Sequence, residues 1–438
     1  MRFLFFFCFS FCLCSIAQAE DLVTLYARAV LASPELQGSQ FALDIAKAQE
    51  DEALSKLLPR IDLTGNYSHN RLNQHKSQTT RASVDTYAGK RATVSLRQPL
   101  FDLQSYLLLK SQESSTKQGE ETLVAAQQKL ISDLVDRYVN ALDSADKSKI
   151  IAAELVSTEK QLSRVKALQE RQMAKITDLY EVQAQVETLR SQLIDSNNDA
   201  KIALEKLREL TGDEVKNLQT ARLDVVLPAP DGAIDSWVQQ AGQINPELAA
   251  LKHAVASAEQ NISAYQAGHL PRLELQINGN YSDTVYNSLR SAPYDVGSIA
   301  VEATVPLYQG GGISARVREA EARHGLSLTK MQQKQRELEK LTRAAFWDMA
   351  SAPARNRATD QEVAAREKAR DSMEKGYELG VVTIIDLLNS QKQLSEARKA
   401  QLQARYRYFK ARTALLYQAG GLVIEELVKL NKWLVVTK

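Results

Sequence analysis

The chain has 438 residues, about three times the length of a typical single domain, so a large or repeated architecture is expected. Lys and Arg number 55 and Asp and Glu 53, and this balance argues against a dedicated nucleic-acid-binding protein, which usually concentrates basic residues. Hydrophobic residues make up 44% and suffice for a core, whereas the mean hydropathy of -0.32 excludes a bundle of membrane-spanning helices.

Residues 1–19 are predicted to be a secretory signal peptide. Arg2 supplies the positive start, Phe3–Leu13 is strongly apolar, and Ala17–Ala19 fits the small-x-small cleavage rule. The apolar run is shorter than the roughly 20 residues that span a bilayer as a helix. All three cysteines lie in this segment, so the exported chain is expected to lack disulfides and thiolate chemistry.

The remaining chain is predicted to contain one large unit twice. Five short motifs recur in the same order, and their period of about 210 residues is far longer than that of solenoid repeats. The pairs are Pro34–Leu36 with Pro246–Leu248, Leu58–Arg60 with Leu270–Arg272, Gly65–Ser68 with Gly279–Ser282, Pro99–Phe101 with Pro306–Tyr308, and Ile176–Leu179 with Ile384–Leu387. We predict a first repeat over 20–212 and a second over 246–420, with 213–245 between them and 421–438 as a tail.

Each repeat is predicted to carry two strands between helices. Apolar and polar residues alternate with period two over about 60–70, 87–101, 272–282 and 296–308. Pro59 and Pro271 end the preceding helices, because proline lacks an N–H and disfavours helix in the residue before it.

Very long helices are predicted after each strand pair. Residues 102–211 contain no proline and one glycine, and residues 310–418 contain Pro353 as their single proline, which we expect to interrupt the helix. The heptad-like apolar spacing is typical of left-handed coiled-coil packing. A solvent-exposed two-helix hairpin remains the alternative.

The strands alone fit two settings equally. Their length suits membrane-spanning strands, and their alternation also suits a soluble antiparallel sheet with one solvent-exposed face. Export of the chain and the absence of a separate helical layer over the strands favour the membrane. Since four strands are too few to close a barrel, several chains would have to contribute to one.

The order of Leu58–Arg60, Leu270–Arg272, Pro306–Gly311 and Gly376–Gly380 resembles the TolC family of outer-membrane efflux and export channels over residues 20–438. The resemblance implies a mainly α chain with β-structure, a long coiled-coil helical barrel continuous with a transmembrane β-barrel completed by trimerisation, with four strands per protomer. Residues 213–245 and 421–438 would form an equatorial region. Pro59, Pro99, Pro271, Pro306, Gly310 and Gly311 would lie at the helix–strand junctions.

The family also implies a function and partners. The chain would be a homotrimer in the outer membrane of a Gram-negative bacterium, contacting lipid there and extending far into the periplasm. It would conduct drugs, toxins or proteins passively from a periplasmic adaptor and an inner-membrane pump of the RND, ABC or MFS type, in multidrug efflux, type I secretion or both. The competing hypothesis is a soluble periplasmic coiled-coil scaffold or adaptor.

The resemblance places a periplasmic aperture where the long helices turn back, at 172–179 and 376–389. Asp386 would form a ring of three carboxylates favouring cations, and Thr177, Asp178 and Tyr377 would hold the closed state. The alternative is that Asp178 and Asp386 only cap helices.

Three positions at this aperture depart from the best-known family pattern. Val382 stands in place of an arginine that locks the turn, Asn389 in place of a second carboxylate, and Gln172 in place of a glycine.

No enzyme site is predicted, and neither is a cofactor, a metal or a nucleic-acid partner. The five histidines form none of the close pairs typical of zinc sites. The Gly310–Gly312 run lacks the Gly-Lys-Ser/Thr of a phosphate loop, and no G-x-S-x-G nucleophile elbow occurs.

Overall fold

The computed structural model describes residues 20–75, 83–215, 218–222, 227–286, 289–290 and 293–435. The predicted signal peptide, parts of the 213–245 segment and the last three residues of the tail lie outside the described residues.

Nine helices and seven strands form within the described ranges. The helices are α1 (Leu22–Ala32), α2 (Pro34–Ser55), α3 (Leu103–Glu170), α4 (Ile176–Thr211), α5 (Ile234–Ile244), α6 (Pro246–Ala267), α7 (Gly312–Glu378), α8 (Ile384–Gln418) and α9 (Ile424–Asn431). The strands are β1 (Arg60–Gln74), β2 (Ser83–Phe101), β3 (Thr220–Ala221), β4 (Arg272–Tyr286), β5 (Leu289–Arg290), β6 (Tyr294–Thr304) and β7 (Leu434–Val435).

The chain divides into two compact units. One comprises 39–123 and 247–334, and contains the large sheet with the helix segments next to it in sequence. The other comprises the described residues up to 38, 124–246 and those from 335 onward. The helices α3 and α7 contribute residues to both units.

The sheet joins the strand pairs of the two repeats. Its four long strands run in the order β1-β2-β4-β6, every neighbour antiparallel, and β5 adds a two-residue pairing to β4. The hairpin of the first repeat therefore pairs with the hairpin of the second through β2 and β4. The last strand ends at Thr304, four residues before the predicted end at 308.

The two faces of the sheet differ as the alternation predicts. Ile61 and Ile299, on the two outer strands, are 68% and 75% exposed. In register, Leu63 lies beside Val94, and Ile277 beside Ile299, so aliphatic side chains form rows on one face. Hydrogen-bonding side chains occupy the other face, where the Thr93 hydroxyl donates to Asn280 Oδ1 at 2.8 Å.

Small polar residues join the helices beside this sheet. The Ser111 hydroxyl donates to the Ser257 carbonyl at 3.0 Å, and Ser115 Oγ lies 2.9 Å from Ser257 Oγ. A Cβ at Gly119 would lie 3.3 Å from the Leu43 side chain, so this glycine lets α2 and α3 approach closely.

The largest core belongs to the other unit. Leu25, Leu134, Tyr138, Leu207 and Leu427 are fully buried and join five helices, α1, α3, α4, α8 and α9, with further side chains of that cluster. The Tyr138 hydroxyl donates to the Gln219 carbonyl at 3.0 Å, and β3 pairs with β7. The first and last described helices, α1 and α9, therefore share a core with the long helices.

The predicted interruption at Pro353 was wrong, because α7 runs unbroken through this residue. Proline removes the backbone bond to the Met349 carbonyl. Met349 and Ala352 are buried against Tyr408 and Leu415 of α8, so packing holds the helical turn that precedes the proline.

Candidate functional site

The two long helical hairpins reverse direction through turns with the same backbone design. Between α3 and α4, the Met173 N–H donates to the Leu168 carbonyl at 2.8 Å. Between α7 and α8, the Val381 N–H donates to the Gly376 carbonyl at 3.0 Å. In each turn the preceding residue also donates its N–H to the carbonyl three residues back, Gln172 to Gln169 and Gly380 to Tyr377, so both turns are Schellman caps of the helix C-terminus. We call residues 171–175 the first turn and residues 379–383 the second turn.

Each turn contains one residue in the left-handed region. In the second turn this is Gly380, with φ of 74°. In the first turn it is Gln172, with φ of 61°, the single non-glycine residue with positive φ among those that the structure describes. Side chains other than glycine pay a steric cost there, so the departure noted at Gln172 carries backbone strain.

The helices that follow the turns begin differently. Thr383 is the N-cap of α8: its hydroxyl accepts from the Asp386 N–H at 3.2 Å and donates to Asp386 Oδ2 at 2.6 Å. The Asp386 carboxylate also accepts from the Thr383 N–H at 3.3 Å, completing a capping box. Asp386 therefore supports the cap from the third helical position, and the cap itself is Thr383, which the sequence analysis did not identify.

The start of α4 has no such box. Its N-cap, Lys175, makes no side-chain capping bond. Asp178 corresponds to Asp386, and the structure places Thr177 Oγ1 3.5 Å from its carboxylate, at the limit of a hydrogen bond.

The predicted aperture residues lie around both turns. Asp386 and Asn389 are exposed on the same face of α8, three residues apart. Thr177 is exposed and Asp178 is half-buried. Their role in an aperture stays a prediction.

A small hydrophobic cluster lies beneath the turns. Val165, Val182 and Leu387 are among its buried members, and Tyr377 packs against it. The cluster therefore joins α3, α4 and α8 to the end of α7. Burial raises the pKa of the Tyr377 phenol; Arg164 opposes this shift, and the Asp178 carboxylate adds to it.

Val382 packs on the end of α7. A Cβ at Gly376 would lie 2.6 Å from Val382 Cγ2, so the absence of a side chain at Gly376 is what admits the valine. In the first hairpin, Leu168 corresponds to Gly376 and Ala174 corresponds to Val382. There the larger side chain lies on the helix and the smaller one in the turn.

A polar contact missed by the sequence analysis joins the two hairpins. Arg164 Nη1 lies 3.1 Å from Glu378 Oε1, and the Arg164 guanidinium lies 5.6 Å from the centre of the Tyr377 ring. No local pattern indicates this contact, because Arg164 and Glu378 are 214 residues apart in sequence.

The predicted junction residues lie close to the ends of the strands. Pro59 and Pro271 each immediately precede a strand, and Gly310 and Gly311 adopt φ of 60° and 79° just before α7. Pro306 follows β6 by two residues, whereas Pro99 lies inside β2. The pairing of β2 with β4 shifts register between Pro99 and Phe101. The redirection near Gly310 uses the left-handed backbone that glycine allows.

Two kinds of feature are absent from the described residues. None of the helices there combines the length and apolar character needed to cross a membrane. Among the same residues, no cluster of three or more His, Cys, Asp or Glu side chains is placed to hold a metal ion.

The doubled hairpins, their shared turns and the joined strand pairs define the class of channel proteins built from long helices and a small sheet. The chain belongs to the outer membrane efflux protein family, whose model matches residues 25–213 and 237–421. It is similar to outer membrane protein TolC of Salmonella enteritidis, with 27% identity over 96% of this chain and 86% of the relative. It is also similar to proteases secretion protein PrtF of Dickeya chrysanthemi, with 27% identity over 95% of this chain and 92% of the relative.

A solved structure supports the fold. The Campylobacter jejuni CmeC outer membrane channel superposes with a TM-score of 0.81, covering 94% of this chain and 89% of that chain at 16% identity. The predicted family and fold class are confirmed, and the chain is an outer-membrane exit duct of a Gram-negative bacterium with a long periplasmic part. The soluble scaffold alternative is not favoured.

Proposed function

We propose that this chain forms a homotrimer that passively conducts cargo outward from a periplasmic adaptor and an inner-membrane pump of the RND, ABC or MFS type. Its relatives include a protein named for efflux and proteins named for protease secretion. We therefore propose drugs, toxins or proteins as the cargo classes. Transport of this kind requires no chemistry on the cargo, and we infer that the chain is not an enzyme.

The main support for the proposed trimer is the arrangement of the sheet. Its outer strands, β1 and β6, each pair along one edge with another long strand of the described sheet. Its apolar face exposes aliphatic side chains such as Leu63 and Val301, at 75% and 63%. A sheet facing lipid cannot leave edge N–H and C=O groups unpaired. Further copies of the chain would pair β1 of one protomer with β6 of the next.

The trimer is tested by extraction from the native envelope. The protein should fractionate with the outer membrane, require detergent for extraction, and migrate as a trimer under mild conditions. In a series of variants with one cysteine on β1 and one on β6, the pairs that face each other between protomers should form crosslinks on oxidation. A monomer that is released without detergent would contradict the proposal.

The adaptor and pump are tested in the same envelope. Crosslinking before extraction should recover the trimer with a periplasmic adaptor and an inner-membrane pump. Recovery of the trimer without either partner, under conditions in which other pump assemblies are captured, would argue against a role in a pump-driven pathway.

We propose further that Asp386 lines the periplasmic entrance together with Asn389, while Thr177, Asp178 and Tyr377 help to hold it closed. The exposure of Asp386 and Asn389 on one face of α8 supports this placement. A ring of three aspartates would concentrate negative charge at a constriction and favour cations.

The prediction is that Asp386→Ala weakens the block of conductance by divalent cations added on the periplasmic side of a planar bilayer. Because Asp386 also supports the cap of α8, Thr383→Ala is the matched control: it removes the cap and keeps the carboxylate. Block should weaken in Asp386→Ala and persist in Thr383→Ala. Equal block in the wild type and Asp386→Ala would exclude an aperture role for this carboxylate.

A further inference from the structure

Carboxylates on the polar face of the large sheet are concentrated at the end next to the helices. Arg60 Nε lies 3.1 Å from Asp62 Oδ2. The Gln276 side-chain amide donates to Glu274 Oε1 at 2.9 Å and to Glu302 Oε2 at 2.7 Å. Each of these carboxylates lies within the three residues at the helix-side end of its strand.

Positive charge accompanies the carboxylates at this end. Arg97 of β2 lies opposite Arg60 in register, and Arg272 is the first residue of β4. Alternation along a strand places Arg272 on the face that carries Glu274. Arginines and carboxylates therefore mix at the helix-side end of the face, where their fields oppose each other.

Arg91 lies on the same face of β2, away from this mixed end. In register it lies opposite Asn66 of β1 and Ser282 of β4, and Ser282 lies opposite Tyr294 of β6. The neighbouring positions of the face are also uncharged: they are Thr64, Thr93, Asn280 and Val296 on one side, and Ser68 and Gly89 on the other. Arg91 is therefore the charged residue of this section of the face.

Arg91 is well separated from the carboxylates of the polar face. Asp62 is the nearest of those whose side chains the structure describes, and it lies opposite Ser95, four residues along β2 from Arg91. Four residues of a strand span about 13 Å. This exceeds the screening length of about 8 Å at physiological ionic strength. The charge of Arg91 is therefore not cancelled by these carboxylates.

The Arg91 side chain has no structural partner that would account for it. It is exposed and forms no hydrogen bond or ion pair with the described part of the chain. A guanidinium carries five N–H donors and no acceptor, so it binds water or anionic groups such as carboxylates and phosphates. The strand pairing at this position uses backbone atoms and does not depend on the charge.

The apolar face shows where Arg91 lies in the membrane. A barrel in lipid turns its apolar face outward and its polar face toward the lumen. Tyr67 and Tyr281 lie on the apolar face, opposite Lys90 and Ala92, the two residues that flank Arg91 in sequence. Aromatic residues of a barrel concentrate at the membrane–water boundary. Because the helix side of the sheet is periplasmic, Arg91 lines the lumen near the outer boundary of the membrane.

We propose that Arg91 is a selectivity-determining residue of the channel, and that it favours the passage of anionic groups such as carboxylates and phosphates. In the trimer, one Arg91 from each protomer forms a ring of guanidinium groups in an otherwise uncharged section of the lumen. Such a ring raises the local concentration of anions. The inference rests on the proposed conduction by a trimer, and its sign is opposite to that proposed for Asp386.

Ion selectivity in planar bilayers tests the inference. Under a KCl gradient at about 0.1 M, where the screening length is about 10 Å, the reversal potential gives the permeability ratio of chloride to potassium. This ratio should fall roughly twofold in Arg91→Gln and further in Arg91→Glu, because the local concentration of ions follows the sign and size of the fixed charge. Arg91→Lys keeps the charge and should retain most of the wild-type ratio.

High salt separates an effect of charge from an effect of pore shape. At about 1 M salt the screening length falls to about 3 Å, so the permeability ratios of the wild type and Arg91→Gln should converge. Equal trimer yield and equal conductance at this salt would show that the variant folds as the wild type does. A difference that persists undiminished at high salt would overturn the inference.

The matched control is Lys90→Gln. It removes the same charge from the adjacent residue, which lies on the apolar face opposite Tyr67 and therefore outside the lumen. The permeability ratio of Lys90→Gln should equal that of the wild type. A fall as large as that of Arg91→Gln would mean that total charge at the membrane boundary sets the selectivity, and would contradict a role for the lumenal ring.

The outcomes separate the role of Arg91 from the proposed function. If the wild-type trimer conducts and Arg91→Gln has the same permeability ratio at low salt, the role of Arg91 is wrong and the channel stands. If the wild type inserts as a trimer and never conducts, the proposed function fails and the role of Arg91 fails with it.

A measurement on the wild type keeps the inference testable if Arg91→Gln does not insert. Inorganic triphosphate, added on the side of the hairpin ends of the sheet, should bind the ring of guanidinium groups and reduce the conductance at low salt. The reduction should disappear at high salt. Conductance that triphosphate leaves unchanged at low salt would count against the ring.

Discussion

The first and second turns have the same hydrogen-bonded backbone and differ in the residues that stabilise it. The second turn has Gly380 at the position of positive φ, and the first has Gln172. The second turn is followed by a capping box built from Thr383 and Asp386, whereas the first is followed by Lys175, which forms no side-chain cap. Each difference makes the second turn locally more stable than the first.

In this chain the two repeats share the backbone geometry of the turn more closely than the side chains that support it. The Schellman bonds of both turns survive because they depend on main-chain atoms. Rigidity depends on side chains, and we infer that opening of the hairpin ends begins more easily at the first turn. Hydrogen exchange of the amides in each turn measures this directly, since local opening has its own free energy.

The largest effect is expected for Gly376→Ala. The new Cβ would lie 2.6 Å from Val382 Cγ2, and overpacking of this kind costs about 1–3 kcal/mol. Exchange in the second turn should accelerate accordingly, with the first turn unchanged. The double variant with Val382→Ala removes the clashing methyl groups and should recover most of the loss. Equal exchange in Gly376→Ala and the wild type would show that the valine yields without cost.

The next effect is expected for Thr383→Ala. Loss of an N-cap side chain costs about 1 kcal/mol, so the backbone amides at the N-terminal end of α8 should exchange several-fold faster. Lys175→Ala is the matched control, because Lys175 occupies the same position and makes no capping bond. Similar changes in both variants would mean that the cap of α8 contributes no stability beyond helix propensity.

Much of the fold follows from local patterns. The strands begin within a few residues of their predicted positions at Arg60 and Arg272, because proline and period-two alternation both operate over short distances. The location of the turns came from the family resemblance, and the Thr383–Asp386 box was readable as a Thr-x-x-acid pattern before an apolar run. The helix α1 begins after Asp21, whose carboxylate accepts from the Thr24 N–H at 2.8 Å, a capping signal that the sequence analysis did not use.

Local sequence patterns could not predict the contacts that connect the two repeats. Arg164 meets Glu378 only because two helices of different repeats run side by side, and neither residue has a distinctive neighbour in sequence. At Pro353 the opposite holds. The local sequence predicts a break in the helix, but packing of Met349 and Ala352 against α8 keeps the helix continuous.

The smallest effect, and the sharpest test of the comparison, is expected for Gln172→Gly. A left-handed conformation costs a residue with a side chain about 1–2 kcal/mol. Glycine removes this strain but gives up about 0.5–1 kcal/mol through its greater freedom in the unfolded chain. The net gain should be about 0.5 kcal/mol, seen as slower exchange of the Gln172 and Met173 amides.

The reciprocal change, Gly380→Ala, places a Cβ at φ of 74° with no other atom within 4 Å, so its cost reports backbone strain without a clash. It should accelerate exchange in the second turn by about the same factor as Gln172→Gly slows exchange in the first. If both substitutions leave exchange unchanged, positive φ does not distinguish the turns, and the difference between them lies in the cap and in the packing of Val382 on Gly376.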